Sequence, residues 1–155
     1  MYQEANHSIT ENIDIIDFLM KEKISLDEET INSNNVVLVP RQKTADDVVI
    51  IKGLRQQGAK VYYPNQGLYT EARGGLWEIS LMLIQDIAIG ILVTILIDWA
   101  KSKAKEYKES KHDVHSEIKS PIFRIRMYLI KEQKYIEISG DEEYIAKILK
   151  SLEYD

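Results

Sequence analysis

The sequence predicts an α+β fold, a small mixed sheet sandwiched with helices and preceded by an amphipathic helix. Three observations carry this. A strand, a helix and a second strand follow one another between Val36 and Pro64, an alternating stretch near residue 123 folds back as a hairpin, and a long apolar run lies between them. The predicted order is β-α-β, long apolar α, β-hairpin, α.

Ser8 followed three residues later by Glu11 has the form of a capping box, and Ile9, Ile13, Ile16, Leu19 and Met20 fall on one helical stripe, which predicts a helix over residues 8–22. Residues 25–35 read as a link with at most one helical turn, because Asn and Ser cluster at its end. The expected organisation is therefore an acidic N-terminal helix and linker over residues 1–35, followed by a single domain over 36–155. "VVLVP" (36–40) is a β-branched run stopped by proline. Thr44 and Asp47 open a predicted helix that closes at Gly58, and "AKVYYP" (59–64) returns as a strand parallel to the first.

In the C-terminal part, Phe123, Ile125, Met127 and Leu129 alternate with Arg124, Arg126 and Tyr128, the pattern of a half-buried strand. "YIEIS" pairs back on it. Ser139 and Glu142 form a second predicted capping box, and Ile145, Ile148, Leu149 and Leu152 make the stripe of a final helix.

A chain of 155 residues with no cysteine is long enough to bury a core without disulfides or metals, and its cysteine usage suits a reducing cytoplasm. The opening residues carry acids where a secretory signal carries a basic start, so no export by that route is expected. A net charge of −5 argues against a dedicated nucleic-acid binder. The charge is uneven: residues 1–35 hold two Lys against eight acids, whereas "KSKAKEYKESK" (101–111) holds five Lys against two Glu, the composition of a solvated helix face.

The run from Leu76 to Lys108 predicts one long helix. On hydropathy its central part, about residues 79–99, also fits a single membrane span, with lysines just beyond its end. Asp86 near the middle and Gln85 beside it oppose that, and a span would split one small domain across a bilayer. Placed at 100° per residue, its polar residues fall on opposite sides, so the helix has no continuous face for water. Ile87, Ile91, Leu92, Ile95 and Leu96 cannot then all be hidden by one short sheet, and Trp99 ends the apolar stretch. These residues with Asp86 are the expected contact surface for a second copy, a partner or lipid. Ile13, Ile16 and Leu19 are expected to dock on this helix or on a neighbouring copy, with Glu11, Asp14 and Asp17 facing lysines or solvent.

No catalytic motif, cofactor site or metal site is predicted. His112 and His115 sit three apart among polar residues, which reads as an exposed helix end or linker, and "EARGG" (71–75) lacks the spacing of a phosphate-binding loop. From about Leu54 to Leu152 the layout, carried by "GAKVYYP", the apolar run ending in Trp99 and lysines, "FRIRMYLIKEQKYIEIS" and "DEEYIAKILKSL", resembles the effector-associated constant components of bacterial conflict systems. The resemblance is one of layout. It implies a non-enzymatic adaptor acting beside an effector in antiviral or inter-bacterial conflict, and the apolar helix makes self-assembly or docking of an effector encoded nearby, in the cytoplasm, the expected way of working. The alternative reading is an inner-membrane protein or an oligomeric membrane-disrupting effector.

Overall fold

The computed structural model describes residues 5–39, 46–64, 76–85, 89–110 and 121–152. It confirms the α+β class: helices pack on one six-stranded mixed sheet. The elements are β1 (Asn6–Thr10), α1 (Ile15–Glu22), α2 (Glu28–Ser33), β2 (Val36–Val39), α3 (Asp46–Gln56), β3 (Val61–Tyr62), β4 (Leu76–Leu83), α4 (Ile89–Ser110), β5 (Ile122–Leu129), β6 (Lys134–Gly140) and α5 (Glu142–Leu152). The strand order is β1-β6-β5-β4-β2-β3.

Two strand–helix–strand units build the centre. The predicted one, β2-α3-β3, has parallel strands with Val36 beside Val61. The second, β4-α4-β5, is also parallel, with Ile79 beside Ile125 and Leu81 beside Met127. β5 and β6 form the expected antiparallel hairpin. Gly58, at φ 89°, ends α3 in the left-handed conformation that glycine adopts without a Cβ clash.

The second unit corrects the largest expectation. Residues 76–108 are not one helix, because Leu76–Leu83 is a central strand and only the later part is helical. The reason is burial on both sides. Ile79, Leu81 and Leu83 join the core under α3, α4 and α5, while Met82 and Ile84 join a second core on the opposite face. A strand covered on both faces reads as an unbroken apolar run and loses its period of two. Gln85 then marks the exit from the strand, donating its amide to the Asn32 carbonyl at 3.1 Å and accepting from Asn35 at 3.2 Å. Asp86 and Ile87 lie outside the described residues.

The remaining helix does have a face for water. Thr94, Asp98, Lys101, Ser102 and Lys105 are exposed along α4, while Leu92, Leu96, Trp99, Ala100 and Ala104 are buried. Among the described residues no helix is long and apolar enough to cross a membrane. The segment 79–99 proposed as a span begins as a strand and ends as a helix, which does not favour the membrane alternative.

The N-terminal part differs as well. Ser8 caps no helix: it lies in β1, paired antiparallel with β6 opposite Glu137. Asp14 is the actual cap, accepting from the Asp17 amide at 2.8 Å, and Lys23 closes α1 at φ 58°. Asp27 caps α2 in the same way through the Thr30 amide at 2.7 Å, and hydrogen bonding from the Thr30 side chain, then from its amide, lowers the pKa of the Asp27 carboxyl. Similarly, α5 is capped by Asp141, whose carboxylate accepts from the Tyr144 amide at 2.9 Å, and not by Ser139. Because β1 extends the sheet and α1 packs on it, a boundary at residue 35 separates no structural units.

α1 does not dock on the apolar helix. It lies on the opposite face of the sheet, where Phe18 stacks on Tyr128 at 4.8 Å and 12° and meets Tyr135 at 6.2 Å. The stripe is rotated from the expected one: Phe18 is its buried anchor, Ile13 and Leu19 are partly covered, and Ile16 is 63% exposed. Asp14 and Asp17 do face solvent, as does Glu11.

Candidate interaction surface

Of the residues expected on a contact surface, Leu92, Leu96 and Trp99 serve the chain's own core. Trp99 meets Phe123 edge-on at 5.3 Å, and Leu92 and Leu96 are fully enclosed. Ile91 and Ile95 are different. They are only partly buried, on the outer side of α4 beside α3.

The α3–α4 contact explains why. Ile50, Ile51 and Leu54 turn α3 towards the sheet and are buried. On its outer side Gly53 stands against Ile95, and a Cβ added there would meet that side chain at 3.6 Å, an ordinary van der Waals distance. With no side chain at Gly53, Ile95 stays only partly buried. Gln57, Gly90, Ile91, Thr94 and Ile95 line a shallow depression of about 420 Å³ between the two helices. Val48 and Val49 on α3 are 61% and 62% exposed, and Val49 precedes Gly53 by four residues on the same helical side.

Sequence reasoning placed Ile91 and Ile95 on the surface together with Leu92, Leu96 and Trp99, which are buried, and missed the α3 side of the depression. The signal was available: Val48 and Val49 fall off the stripe set by Ile50, Ile51 and Leu54, so they are apolar residues on the polar side of a helix.

The opposite face of the sheet carries a charge cluster. Glu78 accepts from Arg126 Nη1 at 3.2 Å and lies 3.9 Å from Arg124 Nη1, while Arg126 Nε donates to Glu137 at 3.3 Å. Burial disfavours the guanidinium charge of Arg126, but Tyr135, Glu78, Glu22 and Glu137 outweigh it and hold its pKa above the ordinary value. Each of these contacts joins a carboxylate to a guanidinium, so the cluster ties β4, β5 and β6 together across the sheet. On the same face Tyr128 donates its hydroxyl to the Ile13 carbonyl at 2.6 Å, fixing the approach to α1.

His112, His115 and the "EARGG" turn lie outside the described residues. Among the described residues no group of three or more His, Cys, Asp or Glu is arranged to hold a metal ion. Comparison with protein families, curated proteins and solved structures finds no match to this chain.

Proposed function

We propose that the chain is a non-enzymatic interaction module that engages a partner protein through the outer α3–α4 surface. The observation that carries this reading is the conjunction of the partly buried Ile91 and Ile95 on α4 with the exposed Val49 on the Gly53 side of α3. Apolar side chains gathered on two neighbouring helices gain free energy when a partner removes them from water, at roughly 25 cal/mol per Å². The partner in this reading is an effector encoded nearby or a second copy, and the setting is a cytoplasmic bacterial conflict system. That setting rests on the sequence's resemblance in layout to the effector-associated constant components between Leu54 and Leu152, although the apolar segment expected there as one helix is divided between β4 and α4.

The test is a pair of variants, Val49→Asp and Ile91→Asp, compared with the parent chain for self-association by sedimentation and for binding to the products of adjacent genes. Both positions have solvent beside them, so each substitution should leave the thermal midpoint within a few degrees. Each should weaken assembly or effector binding about tenfold or more, since a charge is then desolvated at the contact. Binding that is retained by both variants would sink the proposed surface.

A further inference from the structure

Two cross-strand rows lie side by side on the helix-facing side of the sheet. Leu81, Met127, Ile136 and Ile9 are register partners across β4, β5, β6 and β1, and Leu83, Leu129 and Lys134 are partners across β4, β5 and β6 in the next row. Residues two apart on a strand share a face, so Lys134 stands on the same side as Ile136, where the row calls for another apolar residue. Ile89, Leu92 and Val93 on the first turns of α4, with Leu152 at the end of α5, form the opposite wall of a cleft of about 210 Å³. Every residue that lines it is described, and all but two are apolar. Leu92, Val93, Met127 and Ile136 are buried whereas Ile9 is 48% exposed, so the cleft runs from solvent into the core.

The two polar lining residues are Lys134, partly buried in β6, and Glu132, exposed in the turn before it. Among the described residues neither side chain forms an ion pair or a hydrogen bond. A cation and an anion thus share the mouth of an apolar cleft. We propose that the cleft binds an apolar α-amino acid, with its side chain among the aliphatic residues, its carboxylate on the Lys134 ammonium and its ammonium on the Glu132 carboxylate. Size and charge select this class. An apolar cavity of roughly 150 Å³ accepts a benzene-sized molecule, so this larger cleft has room for a branched aliphatic or benzyl side chain. A fatty carboxylate would set its charge beside Glu132, and an amine would set its charge beside Lys134, whereas a zwitterion satisfies both. A mostly apolar lining with a few placed polar groups is the usual build of a small-molecule site. The site is distinct from the α3–α4 surface: Leu92 and Val93 line the cleft, whereas Ile91, Thr94 and Ile95 border the outer depression.

The full chain titrated with L-leucine and L-phenylalanine, and followed through its amide resonances, should show saturable shifts at Leu83, Val93, Ile136 and Leu152. Isocaproate, which lacks the ammonium group, and isoamylamine, which lacks the carboxylate, should each bind about tenfold more weakly than leucine. Glycine, with no side chain to place in the cleft, should give no saturable shift. Lys134→Gln and Glu132→Gln should each weaken leucine about tenfold with an unchanged circular dichroism spectrum. Crossed controls separate charge recognition from packing by the lysine stem: Lys134→Gln should leave isoamylamine binding undiminished, and Glu132→Gln should do the same for isocaproate. Loss of isoamylamine binding in Lys134→Gln overturns the assigned role of that ammonium. The proposal also fails if neither amino acid shifts these residues at tens of millimolar, or if isocaproate or isoamylamine binds as tightly as leucine.

Discussion

The two faces of the sheet are built on different principles. Under α3, α4 and α5 the sheet presents Ile79, Leu81, Phe123, Ile125, Met127 and Ile138, and the helices answer with Leu54, Leu92, Leu96, Trp99, Ile145 and Leu149. On the other face the sheet itself supplies most of the apolar cluster, through Val37, Val39, Met82, Ile84, Tyr128 and Tyr135, and the N-terminal segment adds Phe18 and Ile24 as its buried apolar side chains. The rest of that face is polar, with the Arg124, Arg126, Glu78 and Glu137 contacts in place of packing. Apolar burial is insensitive to orientation and roughly proportional to area, whereas the ion pairs offset their own desolvation and add little net stability. The helical layer thus carries global stability, and α1 rests on a small number of contacts.

Truncations on either side give the largest expected effects and break the comparison most directly. Leu96→Ala and Phe18→Ala each remove a fully enclosed side chain and should cost about 2–5 kcal/mol. Their distributions should differ. With Leu96→Ala, amide exchange should accelerate throughout α4, β4 and β5 because the whole unit loses stability. With Phe18→Ala, acceleration should concentrate between residues 13 and 24 while β4 and β5 stay protected. An identical exchange pattern in the two variants would mean that the faces unfold as one.

That asymmetry also explains what the sequence revealed. Elements with one covered face or clear punctuation were legible: β2 by its β-branched run before Pro40, β5 by the alternation of Phe123, Ile125 and Met127 with two arginines, and α5 by its stripe. β4 was not legible, because apolar residues on both of its faces erase the period that distinguishes strand from helix. The N-terminal helix was placed too early. Ser8 and Glu11 match a capping box, but Asp14 and Asp17 offer a competing start seven residues from Lys21, and edge pairing with β6 decided the matter through contacts more than a hundred residues away. Of the proposed contact surface, hydropathy named Ile91 and Ile95 but did not separate them from Leu92, Leu96 and Trp99, which the core buries, and the packing of Gly53 against Ile95 is a tertiary fact.

A smaller effect sharpens the comparison through pH. Burial, then the nearby charges of Asp14 and Asp17, raise the pKa of Tyr128 above its ordinary value of about 10. The folded chain therefore holds this proton more tightly than the unfolded chain. The associated stability is fully present below the ordinary tyrosine value and is lost as pH rises through the raised one. Ionisation also removes the hydroxyl donor that binds the Ile13 carbonyl. Above pH 10 the protection of residues 13–24 should fall first. Tyr128→Phe, which cannot ionise, should show less of this alkaline loss while costing about 1 kcal/mol at neutral pH. An alkaline transition identical in the parent and Tyr128→Phe chains would remove the tether from the account of how α1 is held.

The smallest expected effect tests the opposite side of the molecule, where stability and contact should pull apart. Gly53 lies inside α3, where a glycine costs roughly 0.5–1 kcal/mol relative to alanine. An added Cβ would meet Ile95 at an ordinary contact distance, so Gly53→Ala should fit without strain and raise stability by about that amount, measurable as a higher denaturant midpoint at unchanged slope. The same methyl group packs on Ile95, which borders the depression with Ile91. If that depression is the docking surface, the more stable variant should bind its partner more weakly, because the side chain that gains cover in the free chain has less left to gain in the complex. Greater stability with undiminished binding would show that the glycine is incidental, and would move the contact away from the α3–α4 junction towards Val48 and Val49.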